Sequence, residues 1–481
     1  MQQKKEKSKQ KIGGLMQIWL EWWYVVCELR PACSRTRSFF WLVATLAGLT
    51  IRPDLLGVTS IIRALGLRAE YYDRLLDFFH SSAINIDKLA IIWTRLVLRF
   101  FPVIPKINGR IILLGDGIKI PKAGKKMPAV KYLHQESENN TKPEYIMGHS
   151  CQAVSLVVGA EESAFAVPLS ARIHEGLVFS NRCQRKLTDK MVSLVQLVEA
   201  GLLFYFVGDA YYACHTVALG IINLGGHLVS RVRCNAVAYE PAPKSIAKHR
   251  GRPKFYGKKI KLVSLFANAN KMSSANSPVY GEQDTVLLYR SMDLIWKPLG
   301  RVVRFVAVAH PVRGRCLLMS TDLTVSAIDI IRLYGIRFKI EVSFKNALRV
   351  VGAYAYHFWL GAMKPIKRGS GNQYLHCQTE KYRQSVKRKF DAYQRHIQIG
   401  IIVQGMLQYL SATYPRLVWK NFGSWLRTIR PGIPPSEMVT AQALRNCFPE
   451  FLLSNVKSVP LTKFILERVD IGRAEGLRLT G

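Results

Sequence analysis

The chain has 481 residues, and its 69 Lys and Arg against 32 Asp and Glu give a formal net charge of +37. An excess of this size predicts a polyanionic partner, either nucleic acid or an acidic membrane surface. The hydrophobic fraction of 49% excludes a disordered basic tail. The length is enough for about two to four domains with cores of their own.

Two apolar runs test the membrane alternative, and neither has the pattern of a membrane span. Residues 39–51 form a run of 13, whereas a transmembrane helix needs about 20. The run at 397–410 is interrupted by Gln404 and Gln408. Residues 1–11 are Lys-rich and lack the small-residue cleavage site of a signal peptide. We therefore expect no membrane partner.

The nine cysteines are scattered, odd in number and without a Cys-x-x-Cys pair. This pattern favours reduced thiols over disulfides or a zinc site, and predicts a cytoplasmic protein.

The amino-terminal part, from residue 15 to 105, has the texture of helices. Short amphipathic segments occupy residues 54–66, 69–79 and 86–100. Three short helices with tight turns fit a helix-turn-helix-like DNA-binding unit, and they fit a plain helical bundle equally well.

From residue 110 the hydrophobic pattern becomes that of strands separated by helices. Four apolar runs predict strands, at residues 110–116, 152–159, 163–169 and 202–209, and a helix is predicted at 187–200. The resulting order β-β-β-α-β-α predicts a mixed α/β sheet. The first and last of these strands end in Gly-Asp, at Asp116 and Asp209.

Positive charge is concentrated around this α/β unit. Residues 231–320 contain short β-like runs and 17 Lys and Arg against 4 Asp and Glu, or +13. Residues 363–481 reach +12, with 19 against 7, whereas residues 1–105 reach only +7, with 15 against 8. The distribution predicts that a long polyanion binds around the α/β unit.

A predicted helix near residue 341 carries Tyr334, Arg337, Glu341 and Lys345 at spacings of three, four and four. These spacings place all four side chains on one helical face. A single acid between cations and a phenol suits a carboxylate that binds a metal ion while its neighbours contact nucleic-acid phosphates.

Asp116 and Asp209 are the candidate partners of Glu341. Taken singly, each is most simply an Asp that caps a strand or turn. Together with Glu341 they form the set of acids needed to hold two Mg²⁺ ions for an in-line phosphoryl transfer. The net charge of +37 indicates that the phosphate belongs to nucleic acid.

Three segments around these acids resemble bacterial insertion-sequence transposases of the DDE class, which have a ribonuclease H-like catalytic core. They are LGDG at 114–117, VGDAY at 207–211 and LYGIRFKIEVSFK at 333–345. The last segment reproduces the family's Tyr, two residues, Arg, three residues, Glu spacing, and residues 135–150 also resemble the stretch after the family's first acid. The resemblance covers roughly residues 50–365.

The chain departs from the family pattern at one position. The family often has a Lys seven residues after the Glu, where this chain has Leu348, and Lys345 is the nearest substitute.

The resemblance implies a transposase that cleaves DNA at the ends of a mobile element and joins the 3′-OH ends to target DNA. Asp116 would bridge two Mg²⁺ ions, with Mn²⁺ able to substitute, and Asp209 and Glu341 would each complete one site. Tyr334, Arg337 and Lys345 would contact the DNA strand. The implied assembly is a homodimer on paired terminal inverted repeats, associated with a bacterial nucleoid.

Two alternatives remain open at this point. One is a non-catalytic DNA-binding transposase relic, and the other is a ribonuclease H-like nuclease that hydrolyses without strand transfer.

The 132 positions between Asp209 and Glu341 imply an inserted subdomain, which resembles the β-strand insertion of cut-and-paste transposases. Trp296, the one Trp of this insertion, is either a residue that stacks on a flipped base or a core residue. Arg250 and Arg252 lie in an Arg-Gly-Arg-Pro segment. That segment would enter the minor groove, contact phosphates or form a solvated loop.

The predicted fold class is α/β: a ribonuclease H-like mixed sheet flanked by helices, interrupted by a β-rich insertion, with helical amino- and carboxy-terminal regions. The predicted regions are 1–105 (helical, DNA-binding), 106–230 (core, first part), 231–320 (basic β-rich insertion), 321–365 (core, second part) and 366–481 (basic, mainly helical).

Overall fold

The central feature of the protein, in a computed structural model, is one large mixed β-sheet. The structure describes residues 17–55, 57–135, 143–160, 163–243, 254–267, 269–279, 281–282, 284–453, 459–470 and 472. Within these residues, thirteen strands join in a single sheet. The strands are β1 Lys106–Ile107, β2 Arg110–Pro121, β3 Lys131–His134, β4 Tyr145–Val158, β5 Phe165–Ile173, β6 Leu177–Val178, β7 Phe204–Gly208, β8 His227–Val232, β9 Val237–Pro241, β10 Tyr256–Lys261, β11 Ser273–Asn276, β12 Val286–Trp296, β13 Arg301–His310, β14 Gly314–Ser320 and β15 Gln373–Tyr374. Strands β6 and β15 form a separate parallel pair.

The middle of the sheet has the strand order β5-β4-β2-β7-β8. Strands β5, β4 and β2 are antiparallel neighbours, whereas β7 and β8 run parallel to β2. A three-stranded antiparallel meander extended by two parallel strands is the arrangement of a ribonuclease H-like sheet. This topology confirms the predicted fold class.

The basic β-rich segment extends this sheet. The strand before this segment, β8, ends at Val232, and the last strand of the segment, β14, ends at Ser320. These two strands are antiparallel neighbours. Beyond β14 the order continues β13-β12-β9-β10, with β11 beside β12. The residues between Asp209 and Glu341 therefore lengthen the same sheet away from the acids.

Helices lie on both faces of the sheet and at both ends of the chain. They are α1 at residues 17–27, α2 Thr36–Ile51, α3 Gly57–Ala64, α4 Tyr71–His80, α5 Ile86–Phe100, α6 Leu187–Val198, α7 His215–Asn223, α8 Ala327–Ile336, α9 Phe338–Asn346, α10 Glu380–Thr413, α11 Pro415–Phe422, α12 Glu437–Leu453 and α13 Pro460–Leu466. Side-chain caps start two of these helices: Asn85 accepts from the Lys88 N–H at 2.9 Å, and Ser326 accepts from the Asp329 N–H at 3.0 Å.

The long helix α10 joins the amino- and carboxy-terminal helices into one layer. It packs against α2, α4, α5 and α12, and also along strand β5. This packing matches the bundle alternative for the amino-terminal helices, and the DNA-binding role of that region remains a prediction.

Buried glutamines on α10 explain its contact with the sheet. Gln394, Gln398 and Gln408 donate to backbone carbonyls of β5 at 3.0–3.1 Å. Among the described strands, β5 pairs only with β4, so its outer edge would otherwise leave buried carbonyl groups without donors. Gln408, one of the two glutamines that interrupt the second apolar run, is thus part of the sheet-to-helix contact, whereas Gln404 donates to the Ser343 carbonyl of α9 at 2.9 Å.

No helix in the described residues combines the length and apolar character needed to cross a membrane. All nine cysteines are free thiols.

Candidate active site

Asp116 and Asp209 are neighbours because strands β2 and β7 run parallel in register. The register pairs Leu114 with Val207, so each acid lies two residues beyond this pair. Adjacent strands are about 4.8 Å apart, which brings the two carboxylates to one place at the end of β7.

Gly115, the residue before Asp116, allows the Phe206 ring and helix α6 to pack closely against strand β2. A Cβ added at Gly115 would lie 2.2 Å from the Phe206 ring and 3.2 Å from the Met191 sulfur of α6. Gly115 therefore faces α6, and Asp116, the next residue of the strand, faces the opposite side of the sheet.

Glu341 reaches the same side through Arg337. One guanidinium nitrogen of Arg337 donates to Asp116 Oδ2 at 2.8 Å, and the other donates to Glu341 Oε1 at 2.6 Å. Arg337 thus bridges an acid from β2 and an acid from α9. The ion pair is mostly shielded from water, since the side chains of Arg337 and Asp116 are 17% and 16% exposed.

The predicted single helix is in fact two helices. Helix α8 ends at Ile336, α9 begins at Phe338, and Arg337 is the junction, with αR backbone angles. The N–H of Arg337 bonds to the Tyr334 carbonyl, three residues back, instead of four, which tightens the turn. Arg337 and Glu341 are still in contact, because the backbone remains helical through the junction.

The pKa of Asp116 is raised from its ordinary value of 3.8 to about 6. Burial is the largest cause. The nearby negative charges of Asp209 and Glu341 raise the pKa further, whereas Arg337 and the Gly117 N–H lower it. Asp116 therefore interacts electrostatically with both other acids.

Asp209 lies in a tight turn after β7. Its Oδ1 accepts from the Tyr211 N–H at 3.1 Å, and its carbonyl accepts from the Ser230 hydroxyl at 2.7 Å. The second bond ties the turn to β8 and fixes the backbone from which the carboxylate projects.

The three acids have the right chemistry for a divalent metal, since carboxylate oxygens are the ligands that Mg²⁺ prefers. No group of three or more metal-ligating side chains is assembled around a common point in the described part of the chain. Arg337 accounts for this, because its guanidinium lies between Asp116 and Glu341 and supplies the positive charge there. These carboxylates would fit a metal ion if Arg337 released Asp116 and Glu341.

The other predicted residues on this helical segment lie nearby. The Arg337 guanidinium carbon is 5.9 Å from the centre of the Tyr334 ring, which is half-buried. Lys345 is exposed in the last turn of α9. Leu348, at the position of the family's Lys, packs against the hydrophobic core.

The remaining predicted DNA contacts are Trp296 and the Arg-Gly-Arg-Pro segment. Trp296 ends β12 and is 5% exposed within the hydrophobic core, which favours the core role over base stacking. Arg250 and Arg252 lie outside the described residues.

Sequence reasoning missed Tyr212 and Gln152. The Tyr212 hydroxyl accepts from the Gln152 side chain at 3.0 Å. Burial and the neighbouring Asp116 charge raise the pKa of the Tyr212 hydroxyl well above 10.0. The repeated Tyr after Asp209 is a sequence signal for the first residue. The second has none, because its position opposite Gly117 depends on the β2–β4 register.

The sheet and the acid cluster define a ribonuclease H-like α/β protein. The family model for DDE superfamily endonucleases matches residues 28–287, which is more than half of the chain, and the chain belongs to this family. The match contains Asp116 and Asp209 and ends before Glu341, so the assignment of the third acid depends on the geometry above.

Comparison with individual proteins adds little. No curated protein sequence matches the chain significantly. Among solved structures, the chain is similar to a piggyBac transposase synaptic complex with hairpin DNA. The identity is 10%, the TM-score is 0.33, and the similarity covers 92% of this chain and 77% of that chain.

Proposed function

We propose that the protein is a DDE transposase that cleaves DNA at the ends of a mobile element and joins the 3′-OH ends to target DNA. The observation that carries the proposal is the pair of Arg337 contacts, which connects Asp116 on β2 with Glu341 on α9 beside Asp209. A family of endonucleases with a ribonuclease H-like sheet supplies the chemical context.

Asp116, Asp209 and Glu341 would hold two Mg²⁺ ions, with Mn²⁺ able to substitute. Bound there, the ions would activate a water or a 3′-hydroxyl and stabilise the leaving oxygen of the phosphodiester. Asp116 would bind metal as the carboxylate, and because its pKa in the metal-free protein is about 6, protons should compete with the metal increasingly as the pH falls below this value. Arg337 holds the Asp116 and Glu341 carboxylates together before substrate binds.

Arg337 also has the geometry to contact the DNA strand. A guanidinium group can bind a phosphate through two parallel hydrogen bonds, as it binds a carboxylate. With Tyr334 beside it and Lys345 exposed further along α9, this face would contact the phosphates that flank the scissile bond.

The charge of the sheet extension supports duplex DNA as the partner. Three lysines of β10, Lys258, Lys259 and Lys261, are exposed on the strand at the end of the sheet. A protein that contacts several phosphates gains affinity from released counterions. A homodimer on two terminal inverted repeats, in a bacterial nucleoid, completes the proposal.

The test uses purified full-length protein, Mg²⁺ and a duplex that carries the inverted repeats flanking the gene. We expect Asp116→Asn, Asp209→Asn and Glu341→Gln to bind this duplex and to lose strand cleavage by at least 100-fold, as DDE chemistry requires all three acids. Asp73→Asn on α4 and Glu450→Gln on α12 are matched controls, because both acids are exposed on helices. Normal cleavage by Glu341→Gln would refute the assignment.

Pre-cut ends distinguish transposition from hydrolysis alone. A transposase joins the 3′-OH of such an end to a circular target plasmid, whereas a nuclease leaves the plasmid unjoined. A relic neither cleaves nor joins.

A further inference from the structure

A groove of about 780 Å³ lies at the end of β5, between β6 and the start of α6. Its lining combines cations with aromatic side chains: Arg172, Arg185, Lys186, Lys190, Phe179 and Phe390. Groove volumes of roughly 300–1,000 Å³ are typical of sites that bind small organic ligands, and this one has room for a nucleotide.

The groove is on the opposite face of the sheet from the acid cluster. Gln152 pairs with Gly117 of β2 on one side and with Arg172 of β5 on the other, and paired residues share a face. Gly117 alternates with Asp116 along the strand, so Arg172 and the acid face opposite sides. The groove is therefore separate from the proposed catalytic site.

The two carboxylates of the lining are already paired. Asp87 contacts Arg172 at 3.0 Å, and Glu175 contacts Lys131 at 3.1 Å. The other cations of the groove therefore have no unpaired carboxylate of the lining to neutralise their charge.

Three cations in the groove lack such a partner. Arg185 and Lys186 are exposed, and Lys190 donates to the backbone carbonyl of His174. No ion pair joins any of the three to a carboxylate within the described residues. They follow each other on the turn before α6 and along its first turn, so they present one concentrated positive surface.

The same cations act on a thiol in the groove. Cys183 is exposed, and its pKa is lowered by a hydrogen bond from Arg185 and by the charges of Arg185 and Lys190. The end of α6 itself contributes little, because Asp189 already caps it by accepting from the Lys186 N–H at 2.8 Å.

Two phenylalanines form the apolar part of the groove. The rings of Phe179 and Phe390 are 6.5 Å apart between centroids and inclined by 57°. Both are half-buried, so each leaves part of a ring available for stacking. Cations beside aromatic rings are the combination that binds single-stranded nucleic acid.

We propose that this groove binds an unpaired nucleotide segment of a DNA strand, with phosphates on Arg185, Lys186 and Lys190 and a base against Phe179. The inference rests on the proposed function only in taking DNA as the partner. A hydrogen-bond path links the groove to the acids: His174, in the lining, contacts Gln152 at 2.6 Å, and Gln152 contacts Tyr212 beside Asp116.

The first experiment measures binding of a fluorescein-labelled 12-nucleotide oligo(dT) by full-length protein at several salt concentrations. Each lost contact with a single-stranded phosphate lowers the salt slope by about 0.7, so Arg185→Ala/Lys186→Ala should lower it by about 1.4. At 0.1 M salt this corresponds to binding roughly 25-fold weaker. Phe179→Ala should weaken binding about fivefold or more, and Phe179→Tyr, which keeps an aromatic ring, should bind as wild type does.

Arg182→Ala is the matched control, because Arg182 is exposed three residues before Arg185 and does not line the groove. We expect its affinity to stay within about twofold of wild type, as for a cation that makes no phosphate contact. Equal losses for Arg182→Ala and Arg185→Ala would overturn the proposal in favour of general surface charge.

The second experiment follows iodoacetamide alkylation of Cys183 by peptide mass spectrometry. We expect oligo(dT) to protect the thiol and inorganic phosphate, at the same phosphate concentration, to leave it reactive. Equal protection by phosphate, or by a 12-base-pair duplex, would overturn the assignment to an unpaired strand, and no protection by oligo(dT) would overturn the site.

Asp116→Asn separates this inference from the proposed function. The variant should bind oligo(dT) and protect Cys183 as the wild type does, because the groove does not include the acid cluster. If wild-type protein failed to cleave DNA while Cys183 remained protected, the catalytic proposal alone would fail.

Discussion

Replacing Asp116 by Asn should stabilise the metal-free protein at neutral pH, because the wild-type acid is held ionised in a mostly buried position. The pKa of Asp116 is about 6 in the folded protein, against an ordinary value of 3.8. The folded state therefore binds this proton more tightly than the unfolded state. The stabilising effect of the proton is complete below pH 3.8 and is lost as the pH rises through about 6.

The size of the effect follows from the two pKa values. Their difference, about 6 minus 3.8, corresponds to about 3 kcal/mol of lost stability above pH 6. The two carboxylate oxygens of Asp116 accept from different donors, Oδ2 from Arg337 and Oδ1 from the Gly117 N–H. Asn has one acceptor oxygen and keeps one of these bonds, and the loss of the other lowers the expected net gain at pH 7.5 to about 1–2 kcal/mol. For 481 residues that unfold together, an unfolding entropy of about 1 kcal/mol/K makes this roughly 1–2 °C in Tm.

The assay is thermal unfolding in the presence of a chelator at pH 4.5 and pH 7.5, with Asp73→Asn as the exposed control. We expect Asp116→Asn to melt above wild type at pH 7.5, with a smaller difference at pH 4.5. Added Mg²⁺ should raise the Tm of wild type and leave that of Asp116→Asn unchanged. A variant that melts at or below wild type at pH 7.5, or a difference independent of pH, would refute the reasoning.

Substitutions at four further positions test the site and the sheet around it. Arg337→Ala removes the charge that lowers the pKa of Asp116, so the pKa of this carboxyl, followed by NMR in the metal-free protein, should rise above about 6, and an unchanged pKa would contradict the assigned contact. Gly115→Ala should destabilise the fold by about 1–3 kcal/mol through overpacking, since its Cβ would lie 2.2 Å from the Phe206 ring. Gly117→Ala, with 3.5 Å to the nearest atom, should melt within about 1 °C of wild type. Equal effects of the two substitutions in urea unfolding would argue against the close contact between Gly115 and the Phe206 ring. Trp296→Ala should cost about 3–5 kcal/mol of stability by leaving a core cavity. Trp296→Phe should keep wild-type DNA affinity. If a Trp296 variant lost DNA affinity without losing stability, base stacking would be favoured over the core role.

The strand-end acids were predictable because their signals are local. An apolar run followed by Gly-Asp occurs twice, and parallel pairing of β2 and β7 brings both ends to the same edge. The predicted order of strands and helices was enough for a mixed α/β sheet, and the ribonuclease H-like topology was implied by the resemblance to DDE transposases. The extension of the sheet through β14 was not predictable, since it depends on antiparallel pairing with β8 between residues about 90 positions apart in sequence.

Contacts that depend on register or packing were also out of reach. The break between α8 and α9 at Arg337 has no Pro or Gly at that position to announce it. Gln404 and Gln408 interrupt an apolar run in the sequence, and only their partners explain them: Gln408 donates to a carbonyl of β5, and Gln404 donates to the Ser343 carbonyl of α9. The groove near α6 combines side chains from β5, β6, α6 and α10, which no single motif brings together.

The central claim is that Asp116, Asp209 and Glu341 share one metal site, and iron-mediated cleavage of the polypeptide tests it most directly. Fe²⁺ binds carboxylate sites made for Mg²⁺, and with ascorbate and oxygen it breaks the backbone beside the bound ion. We expect mass spectrometry to find breaks close to residues 116, 209 and 341 in wild type, suppressed by excess Mg²⁺ and absent from Asp116→Asn. Breaks confined to other parts of the chain, or unchanged by Asp116→Asn, would contradict the account.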